Sequence, residues 1–358
     1  MNLAIVGIRG IPNNYGGFET LTEYLVKYLS GDIDITVYCS STDMKSNLKS
    51  YNGARLKYIP ATSHGAKGII YDSLSLLDAA FKFDKILFLG FGGGFVMPFL
   101  SKKQKQKITL NIGGLDWKRN KWSATARKVI KKAEQLLMKN CTKIISDNIG
   151  IQQYVKAEYH KDSVLIAYGG DQAVYRPITP ASIADYPFLK APYAFTVTRI
   201  QQDNNIDMIL ESFLNQDVLP VVIVGNWHNS NYGTQTKKKY NGHKNLILLD
   251  AIYDREKLDI LRSNCALYIH GHSAGGTNPS LTEAMYLGLP VLAFASGYNE
   301  YTTDNKALYF RDGNELTEMI INYQSYPLRE IGIKLKEFAR IHYVWKSIAE
   351  DYKQVILN

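Results

Sequence analysis

The sequence predicts an α/β protein of two Rossmann-like domains, and three observations carry that expectation. Short apolar runs without polar alternation recur along the chain with helical stretches between most of them, the pattern of a parallel sheet covered on both faces. A stretch holding four prolines and little periodicity, 166–195, interrupts that pattern near the middle. With 358 residues, 46% of them hydrophobic, the chain has material for two cores.

LAIVGI (3–8) reads as a buried strand, followed by RGIPNNYGGFETL and an amphipathic helix through Tyr28 with Phe18, Leu21 and Leu25 inward. Gly16 and Gly17 at the helix start either let the backbone approach a bound substrate or make a tight turn. The loop lacks G-x-G-x-x-G spacing, which argues against a nicotinamide cofactor. Strands are expected at 34–39, 54–60, 85–90, 107–112, 143–147 and 163–168. Gly90, Gly92, Gly93 and Gly94 read as a tight strand-to-helix turn, because no lysine or hydroxyl follows at P-loop spacing. GGLDWKRNKW comes just beyond the strand at 107–112, where open α/β sheets place ligands. There Asp116 either orients or deprotonates an acceptor hydroxyl, or is the N-terminal carboxylate of the next helix.

The proline-broken stretch reads as the connection between domains, with 1–172 before it, 173–192 as the linker proper and 193–342 after it. Strands are expected at 193–198, 219–225, 246–250 and 266–271, with helices near 205–215, 235–240 and 255–262. Arg199, ending the first of these strands, either forks onto a phosphate or makes a surface ion pair. HGHSAGGTNPSLTEAMYLGLPVLAF (270–294) is the densest stretch. Asn278 suits an N-cap and Pro279 the first helical position, so a helix should start there and run to about Gly288 before a buried strand. Gly275 and Gly276 permit close backbone approach, and the amides of a helix start favour an anion, a phosphate above all. Glu283, on the second turn, either accepts hydrogen bonds from hydroxyls next to that phosphate or is solvated. Helices close the chain at 315–323, 328–342 and 344–357, and the tail 343–358 is expected to cross back onto the first domain.

Charge is unevenly spread. Residues 101–144 hold thirteen Lys or Arg against Asp116 and Glu134, a surplus exceeding the whole net charge of +9. Val129, Ile130, Ala133, Leu136 and Leu137 fall on one helical face there, and Arg127, Lys128, Lys131, Lys132 and Lys139 on the other. That basic face, with Lys128, Lys131 and Lys132 at its centre, either meets anionic lipid headgroups or is solvated. No nucleic-acid motif accompanies it and aromatics are not interleaved, so nucleic acid is not expected as a partner. Cys39, Cys141 and Cys265 lie far apart in apolar surroundings, as thiols of a reducing compartment do. Neither a signal-peptide pattern nor an apolar run of membrane-spanning length occurs, so the expected location is cytoplasmic.

Three separated signatures resemble the retaining glycosyltransferases of family 4. YGGDQAVYRP (168–177) looks like that family's N-G-V-D-x-x-x-F-x-P, and TRIQQDNNI (198–206) like its G-R-L-x-x-x-K-N-I. GGTNPSLTEAMYLGLPV (275–291) looks like its E-x7-E helix followed by A-M-x-x-G-x-P-V. With GIRGIPNNYGGFETL and GLDWKRNKW, the chain further resembles the bacterial rhamnosyltransferase-like subgroup that builds capsule, O-antigen and related surface polysaccharides. The first acid of E-x7-E falls on Gly275, the lysine after the phosphate arginine falls on Asn204, and Gly113 stands where the subgroup carries an acid.

The resemblance implies a GT-B fold, two Rossmann-like domains facing a cleft, and a retaining transfer without a metal or other cofactor. It implies a nucleotide-sugar donor, L-rhamnose on dTDP, and a lipid-linked saccharide acceptor at the inner face of the cell membrane. The alternatives are another sugar on UDP or GDP, or a non-catalytic sugar-nucleotide-binding assembly protein. By the same resemblance the base lies by Asp250, Ile252 and Tyr253, and Glu283 takes the pentose hydroxyls. Arg199 and the backbone from Gly276 through Thr277, Asn278 and Pro279 to Ser280 receive the diphosphate, with Arg9 or Lys237 in support. Arg199, Asp116 and Asn278 are the candidate catalytic residues.

Overall fold

The computed structural model describes residues 1–12, 16–45, 47–119, 122–214 and 216–358. Asn13, Asn14 and Tyr15 of the first glycine loop, Asn120 and Lys121 of the stretch after Asp116, and Asn215 at the expected end of a helix lie outside the described residues. The chain forms two compact units, one of Met1–Tyr168 with Trp345–Asn358 and one of Gly169–Val344.

The first unit is built on strands β1 (Asn2–Val6), β2 (Asp34–Ser40), β3 (Ser50–Tyr51), β4 (Ala54–Ile59), β5 (Lys85–Leu89), β6 (Ile108–Asn111), β7 (Lys143–Ser146) and β8 (Val164–Leu165). Their order is β3-β4-β2-β1-β5-β6-β7-β8, parallel except for the β3–β4 hairpin. Leu3, Ala4, Ile5 and Val6 are all buried, as a strand covered on both faces requires. Helices α1 (Gly17–Leu29), α2 (Gly68–Lys82), α3 (Lys102–Lys105), α4 (Ala124–Asn140) and α5 (Ile149–Tyr159) accompany the sheet. The glycine run after β5 enters a 3-10 helix, Gly92–Phe99, that packs between α2 and α4. A Cβ on Gly94 would come within 2.1 Å of the Ala133 carbonyl oxygen, so glycine there permits close packing rather than ligand approach.

The second unit holds β9 (Ala194–Val197), β10 (Val221–Gly225), β11 (Leu246–Asp250), β12 (Leu267–His270), β13 (Val291–Phe294) and β14 (Leu308–Phe310). The order is β11-β10-β9-β12-β13-β14, parallel throughout. The order reverses between β9 and β12, which makes the crevice beyond their carboxyl ends the switch point where such sheets bind ligands. Its helices are α6 (Pro180–Asp185), α7 (Ile206–Leu214), α8 (Asn231–Tyr240), α9 (Arg255–Ser263), α10 (Pro279–Leu287), α11 (Tyr298–Thr302), α12 (Gly313–Ile321) and α13 (Leu328–His342). The last helix, α14 (Trp345–Leu357), belongs to the first unit. It buries Trp345, Ile348, Tyr352 and Ile356, and Trp345 stacks on Tyr24 of α1 at 4.6 Å between ring centres. Removing an aromatic of that size from a core costs about 3–5 kcal/mol, enough to hold the tail in place.

Candidate donor site at the switch point of the second sheet

Two loops leave the switch point, one after β9 beginning at Thr198 and one after β12 beginning at Gly271, and they are stitched together. The Ser273 amide and hydroxyl both donate to the Asp203 carbonyl, at 2.8 and 2.9 Å. The Asn205 amide side chain donates to the Gly271 carbonyl at 2.9 Å. Asn204 holds the Arg199 carbonyl through Nδ2 at 2.7 Å, while its Oδ1 meets His272 Nδ1 at 2.7 Å. Asn204 is buried. The position where the resembling family carries a lysine is therefore structural here, and it fixes the backbone of Arg199, itself half-buried, at the mouth of the crevice.

Helix α10 begins as its capping chemistry dictates. Asn278 Oδ1 accepts from the Ser280 amide at 3.0 Å and from the Ser280 hydroxyl at 2.9 Å, Pro279 follows at the first turn, and Gly288 closes the helix with φ 80°. This corrects the expected amide cradle. Ser280 N–H is taken by the cap and Pro279 has none, so the amide-bearing residues of the turn are Gly276, Thr277 and Asn278. The Asn278 side-chain oxygen is engaged in the cap, so Nδ2 is the atom of this side chain that the capping bonds do not use. Gly275 sits at φ 121°, a conformation glycine favours, and is buried with Gly276 and Thr277.

Glu283 is held from two sides. Its Oε2 lies 2.7 Å from Arg262 Nη1 of α9, and its Oε1 accepts from Gln172 Nε2 at 2.6 Å. Arg262 is 3% exposed and also stands 3.8 Å from Asp259, whose carboxyl is pushed above its ordinary range by burial. A carboxylate offers about four acceptor positions, so hydrogen-bonding capacity remains for hydroxyls. Gln172 arrives on the segment 169–176, which lies on this unit rather than hanging free. Thr282 Oγ1 donates to the Gly169 carbonyl at 2.9 Å, and a Cβ on Gly170 would come within 2.3 Å of the Thr282 carbonyl. Behind the site His270 is buried in β12 with Nε2 lacking a partner, and burial depresses its pKa to about 3. Tyr268 beside it is pushed up to about 12, again by burial.

The residues expected near the base leave β11, two strands from the switch point at the same edge of the sheet. Tyr253 is exposed and its hydroxyl donates to Asn226 Oδ1 at 3.2 Å, while Ile252 beside it is half-buried. Asp250 pairs with Lys237 at 2.8 Å.

In the first unit Asp116 opens a 3-10 turn, Asp116–Lys118, and pairs with Arg119 at 2.7 Å. Gly16 has φ 130°, and the place of its missing Cβ is occupied by the carboxylate of Glu19, which accepts from the Arg9 amide at 3.1 Å. That glycine leaves room for the acid of the first turn of α1, which opens at Gly17, a position where a carboxylate complements the helix dipole. The Arg9 guanidinium lies 3.4 Å from His64 Nδ1.

The basic face of α4 also needs correction. Lys128 and Lys132 are exposed, but Lys131 turns into a pocket formed with α5. It contacts Glu134 at 3.2 Å, Glu158 at 2.9 Å, Tyr159 at 3.0 Å and the Tyr154 hydroxyl, and stands over the Trp117 ring at 4.7 Å. Buried Glu134 draws it inward, because an unpaired carboxylate there would be costly. Among the described residues no helix is long and apolar enough to cross a membrane.

Residues 1–171 match the family model described as Domain of unknown function (DUF1972), and residues 181–321 match Glycosyl transferases group 1. The second match spans both switch-point loops and α10. No curated protein matches the chain in sequence. Among solved structures, sucrose-phosphate synthase from Thermosynechococcus elongatus is similar over 99% of this chain and 98% of its own, with TM-score 0.83 and 17% identity. HepE of Anabaena in complex with UDP-glucose matches over 99% and 98%, with TM-score 0.76 and 12% identity. Trehalose 6-phosphate synthase from Burkholderia multivorans matches over 99% and 98%, with TM-score 0.72 and 9% identity. At these identities the likeness is one of fold.

Proposed function

This chain is a glycosyltransferase of the GT-B architecture, and from that premise we propose that it moves a hexose, L-rhamnose from a dTDP donor, onto a lipid-linked saccharide at the inner face of a bacterial membrane. The transfer retains anomeric configuration and serves surface-polysaccharide synthesis. The observation that carries the donor half of this reading is Glu283, held by Arg262 and Gln172 on the helix whose amino end is the Gly275–Asn278 turn.

In this reading Glu283 accepts hydrogen bonds from the pentose, one fewer for a deoxyribose than for a ribose. Arg199 and the turn at Gly276, Thr277 and Asn278 face the diphosphate, with the partial positive charge of the α10 amino end behind them. These groups stabilise negative charge as the glycosidic bond breaks. A diphosphate oxygen takes the proton of the attacking hydroxyl on the same sugar face. The base lies against Asp250, Ile252 and Tyr253. Asp116 orients the acceptor hydroxyl, and Lys128 and Lys132 meet the anionic membrane. The D-x-D run Asp32-Ile33-Asp34 stands at the amino end of β2, away from the carboxyl edge where such sheets bind ligands, which supports a transfer that needs no metal. A UDP-sugar donor is the second reading, favoured by the UDP-glucose seen bound to HepE.

Radiolabel transfer from dTDP-rhamnose, UDP-glucose and GDP-mannose to a lipid-linked saccharide extract, in excess EDTA, tests the proposal. Product from dTDP-rhamnose alone is expected. Product only from a UDP- or GDP-sugar overturns the donor assignment, and loss of product in EDTA overturns metal independence.

A further inference from the structure

Helix α2 carries apolar side chains on two faces, and one of them is left exposed among the described residues. Tyr71, Leu76, Ala79 and Ala80 are fully buried against the unit. Ile70, Leu74, Leu77 and Phe81, spaced four, three and four residues apart, form a second stripe along the outer side and are 58%, 47%, 40% and 71% exposed. The 3-10 helix packed against α2 ends at Phe99, which is 85% exposed, and α3 follows directly with exposed Lys102 and Lys103. Contiguous apolar exposure of this kind marks an interaction surface.

The charge around the stripe identifies its partner. Lys67 precedes α2, Lys102 and Lys103 extend α3 where it touches α2, and exposed Lys128 and Lys132 lie on α4, the other neighbour of the 3-10 helix. Several carboxylates of the same layer are engaged. Asp78 pairs with Lys57 and Lys82, Asp84 accepts from the Asn2 amide, and Glu134 is buried. An apolar centre with a lysine rim complements a surface that is apolar inside and anionic outside.

We infer that the outer face of α2, with Phe99 and the lysines of α3, is a membrane-docking surface that inserts Leu77, Phe81 and Phe99 among the acyl chains of an anionic bilayer. The lysines of α4 flank that contact and do not form its centre. The inference deepens the reading that the acceptor is lipid-linked and rests on it for its purpose. The binding event itself is measurable without any acceptor.

Flotation of the full chain with vesicles of phosphatidylcholine, alone or with about 30 mol% phosphatidylglycerol, tests it. The wild type is expected to float only with the anionic vesicles. Phe81→Ser with Phe99→Ser should weaken that binding about tenfold or more. Lys102→Gln with Lys103→Gln should weaken it and reduce its sensitivity to about 0.5 M salt. Circular dichroism melting confirms that each variant is folded. Thermal stabilisation by dTDP should be the same in all of them, and its failure in the wild type would count against the donor reading while leaving the vesicle result standing. Equal flotation of wild type and the double phenylalanine variant overturns the docking surface. So does a wild-type dimer in light scattering that these serines dissociate, because the stripe would then be an interface between copies of this chain.

Discussion

Arg262 Nη1 stands 2.7 Å from Glu283 Oε2, with the arginine side chain 4% and the glutamate side chain 17% exposed. The pair joins α9 to α10, and Gln172 closes it from the segment that opens the second unit. Removing one partner of a buried pair leaves the other charge uncompensated, which costs more than the pair contributes. Arg262→Met should therefore destabilise the second unit by about 3–5 kcal/mol, read from urea unfolding. Adding Glu283→Leu to it should recover most of that loss. A single-variant cost near zero would mean that the pair does not position Glu283.

Glu283→Gln keeps the shape and removes the charge. If the carboxylate takes sugar hydroxyls, losing one or two charge-assisted hydrogen bonds of about 1.5–3 kcal/mol each should raise the donor KM at least tenfold. An unchanged KM with an unchanged kcat would leave Glu283 a purely structural partner of Arg262.

Asn204 gives a test in the opposite sense. Restoring the lysine of the resembling family, Asn204→Lys, should not improve donor binding. The side chain is buried between the Arg199 carbonyl and His272, so a lysine would lose both contacts and bury a charge. The expected result is a lower melting temperature and weaker dTDP binding, and tighter binding would show that the crevice can turn this side chain toward the diphosphate.

His270 predicts a pH dependence. Its imidazole is buried and held near a pKa of about 3 by burial, whereas an unfolded chain takes up that proton near 6.5. Between those values the unfolded state binds more protons, so stability is present above about pH 6.5 and is lost as pH falls toward 3. His270→Phe removes this contribution, and its melting temperature should fall less steeply than the wild type's between pH 6.5 and 4. Parallel curves would contradict a buried neutral imidazole.

What the sequence made legible is local chemistry, and what it hid is tertiary. Helix α10 runs from Pro279 to Leu287 between an Asn278 cap and left-handed Gly288, as its residues require. The same chemistry spends the Ser280 amide that a phosphate reading wanted, a consequence that appears only when the cap is built. The strand expected over 163–168 shrinks to Val164–Leu165 at a sheet edge, and β14, three residues long, lacks the length to announce itself. Helical periodicity placed Lys131 with the solvated lysines because it could not see Tyr154 and Tyr159 approaching from α5. Gln172 and Arg262 gave no signal, since their contacts with Glu283 cross 111 and 21 residues and no motif connects them. The outer stripe of α2 was readable at i, i+4, i+7 spacing, but only burial of the opposite face shows which stripe the fold leaves uncovered.

The most direct test of the account is calorimetric titration of dTDP, UDP and GDP into the wild type and into Glu283→Ala. The account predicts that dTDP binds the wild type most tightly and binds Glu283→Ala at least tenfold more weakly. Equal affinity of dTDP for both proteins would contradict the placement of the donor at the switch point of the second sheet.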